Sequence, residues 1–254
     1  MISQSQQDHF LKTGIWYTGI PRLDSSVHQS CYQDFLARAP AYKSRFLQTN
    51  FNSFFEGYSF MGQEDSANQY AEDRLYTYVI SDYFDATRHA AEFAPLINEQ
   101  QKLIHIISEL EKEIVSALFP SLFDFYNLCI SHSLSTNFYP AGDHGKQRLS
   151  PHPDGSLFTV FPFGIDEEFQ YQNSMGSWCT IAQTDQIICF SGYLLELMSG
   201  FKALNHQVVK EGPQNARFSF AYFSIPRPDC TVTTIRGQKI STAEYYSKYL
   251  SLFE

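Results

Sequence analysis

The chain has 254 residues, 43% of them hydrophobic and 18% charged, which is enough apolar material for one compact core and too much for a disordered chain. Its net charge of -9 disfavours a surface for nucleic acid or anionic lipid, because phosphate would meet overall repulsion, so the expected partner is a small molecule. No run of about 18 apolar residues could cross a bilayer, and "MISQSQQDHF" has no basic flank leading into an apolar stretch, so a cytoplasmic protein without a membrane contact is expected.

Cys31, Cys129, Cys179, Cys189 and Cys230 are odd in number and never spaced C-x-x-C, which reads as reduced thiols rather than a disulfide framework or a zinc knuckle. The 23 Phe and 16 Tyr suit sheet faces and apolar pockets. In chain order, the first expected helix is a weak one from His28 to Ala37. The clearest helix runs from Ile97 to Leu118, where Leu103, Ile107, Leu110, Ile114 and Ala117 recur at three- and four-residue steps. Glu109, Glu111, Lys112 and Glu113 fall between them, and Pro120 marks the end.

After Asn127 the segments shorten and become β-branched and aromatic, separated by Gly, Pro and Asp: "SLSTNFYP", "SLFTVFPFG", "EEFQYQN", "SWCTIAQ", "QIICFSG", "NHQVVKEG", "ARFSFAYFSI" and "TVTTIRG". "YLLELMSG" reads as a short helix or a bent strand, and "TAEYYSKYLSLF" as a C-terminal helix. Strand-sized pieces at this density predict a mainly β fold, a sandwich or jelly roll with the helices packed on one sheet. With no repeat or linker to divide it, the chain is expected to be one unit. Residues 1–126 form a helical and mixed half that packs on the core and contributes to the substrate pocket, and residues 127–254 form the β core with its C-terminal helix.

The chemistry begins at "LSPHPDGSLFTVFP". On an extended strand His152 and Asp154 share a face and could present a nitrogen and a carboxylate oxygen to one ion. A single H-x-D or H-x-E arises about once by chance in a chain with 8 His and 27 acidic residues, and the competing reading is a strand-start His with an Asp capping a turn. His206 in "ALNHQVV" is a third candidate, and Greek-key connections bring distant strands side by side. Two His and one carboxylate leave open positions, as non-haem Fe(II) requires. Further on, Arg217 and Ser219 sit two apart on an aromatic strand, either as surface residues or as a buried anchor for the far end of a dicarboxylate.

Taken together these residues resemble the isopenicillin N synthase-like branch of the Fe(II)/2-oxoglutarate-dependent oxygenases. "STNFYPAG" resembles that family's Asn-x-Tyr-Pro strand, "LSPHPDGSLFTVFP" its His-x-Asp strand, and "GSWCTIAQTDQIICFSGYLLELMSG" its Trp strand with the Gly-x-x-Leu-x-x-x-Ser segment. "ALNHQVV" resembles the distal-His strand, "ARFSFAYFSIPRPD" the Arg-x-Ser strand, and "EGYSFMGQED", with Glu64 and Asp65, an N-terminal Gly-Tyr turn. The resemblance implies a double-stranded β-helix (jelly roll, cupin-like) and a cofactor set of Fe(II), 2-oxoglutarate and O2. It implies iron on His152, Asp154 and His206, and the distal carboxylate of 2-oxoglutarate on Arg217, Ser219 and Tyr139, with Asn137 ordering the neighbouring loop.

The activity implied is oxidation of a small molecule such as an amino acid or a natural-product intermediate. Hydroxylation is the default, with desaturation or cyclisation open to the same chemistry, and succinate and carbon dioxide are released. An iron oxidase that does not use 2-oxoglutarate, and an inactive metal- or ligand-binding relative, are the alternatives. Departures from the pattern are Gln207 where Arg is common and one extra residue between His206 and Arg217. For the substrate, Phe158 is the first candidate neighbour. Tyr58, Phe60, Arg74 and Arg88 come from the half that supplies substrate contacts in the family, against surface salt bridges for the two arginines. His132 is either a pocket residue or a satisfied core histidine. The mouth is expected either to be more open than in longer relatives or to be closed by the C-terminal helix.

Overall fold

The computed structural model describes residues 3–48, 56–61, 73–142, 147–181, 185–210 and 215–253. Helix α1 (Gln4–Thr13) starts at a capping box between Ser3 and Gln6 and stops at Gly14, whose φ of 74° only glycine adopts without strain. Then follow β1 (Ile15–Pro21), α2 (Ser26–Leu36), the single turn α3 (Pro40–Lys43), β2 (Gly57–Ser59) and β3 (Tyr76–Ser81). Helix α4 (Ala94–Leu118) begins with Pro95 in its first turn, three residues before the expected start. The short α5 (Phe123–Cys129) leads into β4 (Ile130–Tyr139), β5 (Gln147–His152), β6 (Phe158–Phe161), β7 (Phe169–Gln172), β8 (Trp178–Thr180) and β9 (Gln186–Ser191). The chain closes with α6 (Tyr193–Ser199), β10 (His206–Val209), β11 (Arg217–Pro226), β12 (Thr231–Thr233), β13 (Lys239–Ser241) and α7 (Thr242–Leu250). "YLLELMS" is thus a helix, and α7 begins at a second capping box, Ser241 with Glu244.

A seven-stranded antiparallel sheet in the order β1-β9-β6-β11-β4-β3-β2 faces a four-stranded one, β5-β10-β7-β8. This is a mainly β fold with flanking helices, the double-stranded β-helix. Alternation along each strand builds two cores, because successive side chains take opposite faces. On β6, β9 and β11, Phe158, Val160, Ile187, Cys189, Phe220 and Tyr222 enter the layer under the helices. Phe161, Ile188, Phe190 and Ala221 enter the space between the sheets. The sequence pattern left β1, β2 and β3 out, yet all three extend the large sheet.

One element differs in its facing. Glu111, expected among the polar residues of α4, lies on the buried stripe with Leu103, Ile107 and Ile114. Being four residues after Ile107 places it there, and it is tolerated because His132 Nε2 on β4 sits 3.0 Å from its carboxylate and the Tyr126 hydroxyl donates to the same oxygen at 2.7 Å.

Candidate active site

His152 is the last residue of β5, an edge strand, and Asp154 lies in the connection to β6, so the pair ends one strand rather than starting another. Pro153 between them has no N–H to leave unpaired at this edge. His206 opens β10 and pairs in register with His152, with an irregularity just beyond it. Their rings are 4.5 Å apart. His152 Nε2 lies 3.5 Å and His206 Nε2 3.7 Å from the same oxygen, Asp154 Oδ1. One ligand atom from each of the three falls within 4.8 Å of the others.

Hydrogen bonds aim these atoms. His152 Nδ1 is 2.7 Å from the Ser150 carbonyl and His206 Nδ1 is 3.3 Å from the Leu204 carbonyl. A carbonyl only accepts, so each Nδ1 carries the proton and each Nε2 presents a lone pair. The Thr159 hydroxyl donates to Asp154 Oδ2 at 2.7 Å, and Ser156 Oγ lies 2.9 Å from the same hydroxyl. Oδ1 is left for the histidines. Three buried acceptors pointing at one another repel unless a cation stands between them, which is the donor set of a two-His, one-carboxylate metal site.

The electrostatics differ between the two histidines: burial pulls the His152 imidazole down, but the Asp154 carboxylate outweighs it and raises His152 above its ordinary value, a proton that a cation at the site would displace. Burial pushes the Asp154 carboxyl up, but the neighbouring His206 and His152 outweigh it and hold the group below its ordinary value. Burial, reinforced by His152, pulls His206 down to about 4 against the opposing pull of Asp154, so its imidazole is neutral and able to bind metal at pH 7. Phe169 stacks on the His206 ring at 5.1 Å. Helix α7 fastens the loop between the ligands: the Tyr249 hydroxyl donates to the Pro153 carbonyl at 3.0 Å and Tyr245 to that of Gly155 at 2.6 Å. A Cβ on Gly155 would lie 2.9 Å from the Tyr249 ring, so the approach requires glycine.

At the other end of the space between the sheets stands Arg217, the first residue of β11, 8% exposed and 4.9 Å from the centre of the Tyr139 ring with which it is in register. Its Nε donates to Asp166, and Glu168 lies 3.9 Å away, but Nη1 is buried without a partner. An uncompensated guanidinium N–H in a cavity is costly, and a carboxylate is the group that matches it. Asn137, opposite Ser219, accepts hydrogen bonds from Thr77 Oγ1 at 3.0 Å and Ser135 Oγ at 3.1 Å, which fixes its carboxamide. Burial pushes the Tyr139 phenol up to about 12, with Arg217 pulling the other way, so it stays a hydrogen-bond donor. His152, Asp154, His206, Arg217, Ser219, Tyr139 and Asn137 all line one cavity of about 130 Å³.

The expected substrate contacts lie elsewhere. Phe158 faces the helical layer, where it meets Phe10. The turn at Gly155–Leu157 resets the face between Asp154 and β6, so Thr159 and Phe161 point to the site instead. His132 is the satisfied core residue, turned to Glu111 on α4 and held also by Asp82. Tyr58 packs on Phe35 in the same helical layer, and Phe60 is exposed. Arg88 is a surface residue stacked on Phe84 and 3.6 Å from Glu56. Arg74 is outside the cavity wall, although Asp73 and Leu75 on either side of it belong to that wall. Glu64 and Asp65 lie outside the described residues. Buried Asp73, which accepts from the Ser150 amide at 2.8 Å, and Tyr249 are wall residues that the sequence pattern did not single out.

Residues 130–226, from the start of β4 to the end of β11, match the family model of the 2OG-Fe(II) oxygenase superfamily. Every member of the triad and Arg217 fall inside that match, which marks this part of the chain as a non-haem Fe(II)/2-oxoglutarate oxygenase core, with Fe(II), 2-oxoglutarate and O2 as its cofactor set. Among solved structures, a full-length Neurospora crassa protein in complex with alpha-KG is similar in fold, with a TM-score of 0.72 at 17% identity over 98% of this chain and 90% of that one. The dioxygenase for auxin oxidation 1 of Arabidopsis thaliana, a 2-oxoglutarate complex, gives 0.66 at 16% identity over 91% of each chain. JOX2 in complex with 2OG, Fe and JA gives 0.73 at 16% over 97% of this chain and 80% of that one. No curated protein sequence gives a significant match. Among the described residues no helix is long and apolar enough to cross a membrane.

Proposed function

We propose that the protein oxidises a small molecule, by hydroxylation in the first instance, with iron held by His152, Asp154 and His206 and 2-oxoglutarate anchored through its distal carboxylate by Arg217, Ser219 and Tyr139. The observation that carries this reading is the unpartnered Nη1 of Arg217, in a residue that lines the same cavity as the converging triad. The fold neighbours that bind alpha-KG or 2OG support it. Bound Fe(II), 2-oxoglutarate and O2 supply oxidative decarboxylation to succinate and carbon dioxide coupled to oxidation of substrate.

The chain's own residues provide placement and exclusion of water. Ser150 and Leu204 hold the imidazole tautomers, Thr159 turns Asp154, Asn137 orders the wall beside Ser219, and Tyr245 and Tyr249 pin the ligand loop from α7. Residues 127–254 then act as the cofactor core, with residues 1–126 contributing Leu75, Thr77 and Val79 to the wall. The setting that suits the reading is cytoplasmic metabolism of an amino acid or natural-product intermediate. The test is succinate release with Fe(II), 2-oxoglutarate and O2 over a panel of small molecules. Release that disappears in His152→Ala is expected, whereas iron-loaded protein that never turns over 2-oxoglutarate would contradict the reading.

A further inference from the structure

The inward hydroxyls of β4 are partnered except for one. Ser131 Oγ donates to Asp82 at 2.6 Å and Ser135 Oγ to Asn137 at 3.1 Å, but Ser133 Oγ, in a residue 1% exposed, has no partner and lines the cavity. A buried hydroxyl left unpaired is unfavourable, so a partner that enters with a ligand, or a water, is implied.

Its position says which ligand. Ser133 is in register with Phe223 on β11, and Phe223 with Thr159 on β6, whose hydroxyl holds Asp154. One row across three strands therefore runs from Ser133 to the carboxylate of the triad. Arg217 lies six residues from Phe223 along β11, about 20 Å at the rise of a strand, too far for one short dicarboxylate to reach both. Around the hydroxyl, Val79, Phe223 and Ile225 give the wall its apolar part, while Ser81, its neighbour in register on β3, is already turned to Glu56 and Ser135 to Asn137.

Resting on the proposed oxygenase reading, we infer that Ser133 is the substrate-anchoring residue, and that it takes a neutral molecule with one carbonyl, amide or hydroxyl group next to an apolar body. One hydroxyl left unpartnered among neighbours that are apolar or already bonded can pair such a group, while it would leave a desolvated carboxylate short of hydrogen bonds.

The test uses the Fe(II)-loaded protein with 2-oxoglutarate under anaerobic conditions. Neutral amides, lactams and ketones are titrated beside carboxylates of the same shape, such as benzamide beside benzoate, and the change in visible absorption of the iron–2-oxoglutarate chelate is read. Neutral members are expected to bind. The tightest should weaken by about 2- to 10-fold in Ser133→Ala, the loss of one neutral hydrogen bond, and recover in Ser133→Thr, with 2-oxoglutarate affinity and thermal midpoint unchanged. Carboxylates binding ahead of their neutral counterparts, no binding by any neutral member, or unchanged affinity in Ser133→Ala, which leaves water as the hydroxyl's partner, overturns the inference. The chelate absorption without any probe reports separately on the oxygenase reading.

Discussion

The two faces of strand β4 receive polar side chains in opposite ways. On the inner face Ser133, Ser135, Asn137 and Tyr139 line the cavity, and the face ends opposite an arginine with a free N–H. On the outer face Leu134 packs into the helical layer. The one charged side chain there, His132, lies 3.0 Å from Glu111 and 3.7 Å from Asp82. The polar side chains that β4 itself puts on its outer face, His132 and Thr136, are bonded within the chain, whereas on the inner face Ser133 Oγ and the facing Arg217 Nη1 have no partner among the described residues. The same strand thus separates a stabilising polar network from a functional one, and substitutions on the two faces should separate ligand binding from stability.

The largest effect is expected at the triad. His206→Ala removes one of three ligands and should weaken Fe(II) or Mn(II) binding by more than about 100-fold, above the usual effect of losing only a supporting hydrogen bond. Calorimetric titration measures this, and unchanged metal affinity would remove His206 from the site. On the other face Glu111→Ala leaves His132 buried without its main partner and should cost about 3–5 kcal/mol of stability, with metal affinity in the remaining folded protein unchanged. Urea unfolding separates the two.

The same network gives a pH dependence. Burial opposes charge on His132, but Glu111 and Asp82 outweigh it and raise the imidazole to about 9. A raised histidine value means that the folded state holds the proton more tightly. Its stabilisation is complete below the ordinary value of about 6.5 and is lost as pH rises through about 9. Unfolding free energy should fall by up to about 3 kcal/mol over that window, and the fall should flatten in His132→Gln. An equal pH slope in the variant would show that another group is responsible.

Arg217→Leu removes a charged hydrogen-bond donor and should raise the 2-oxoglutarate requirement by about 10- to 100-fold with iron affinity preserved. The smallest effect belongs to α7. Tyr249→Phe deletes one hydrogen bond to the ligand loop, a loss of about 1 kcal/mol, and should loosen metal binding by less than about 10-fold. No change in metal affinity together with an unchanged thermal midpoint would mean that the bond does not brace the loop.

That the proposed cofactor residues share one cavity was legible in the sequence because the signals are short-range: a His and an Asp two apart, an Arg and a Ser two apart, and an Asn and a Tyr two apart on strands with clear alternation. The substrate end was not. The continuity of "SLFTVFP" points to Phe158, yet the turn after Asp154 moves the chain from the small sheet to the large one and shifts the inward parity to Thr159 and Phe161. Tyr249 is invisible for a related reason, since only the docking of α7 brings it to Pro153, 96 positions away in sequence. Glu111 was readable as a helix position but not as a buried one, because its partner His132 belongs to a different element.

In the proposed function one inner surface binds iron at His152, Asp154 and His206 and 2-oxoglutarate at Arg217. The most direct measurement is an anaerobic visible-absorption titration of the Fe(II)-loaded protein with 2-oxoglutarate, in the wild type and in Arg217→Leu. A metal-to-ligand band is expected that saturates in the wild type and needs at least about tenfold more 2-oxoglutarate in the variant, with Fe(II) affinity equal in both. Iron binding with no band on adding 2-oxoglutarate, or the same 2-oxoglutarate affinity in both proteins, would contradict it.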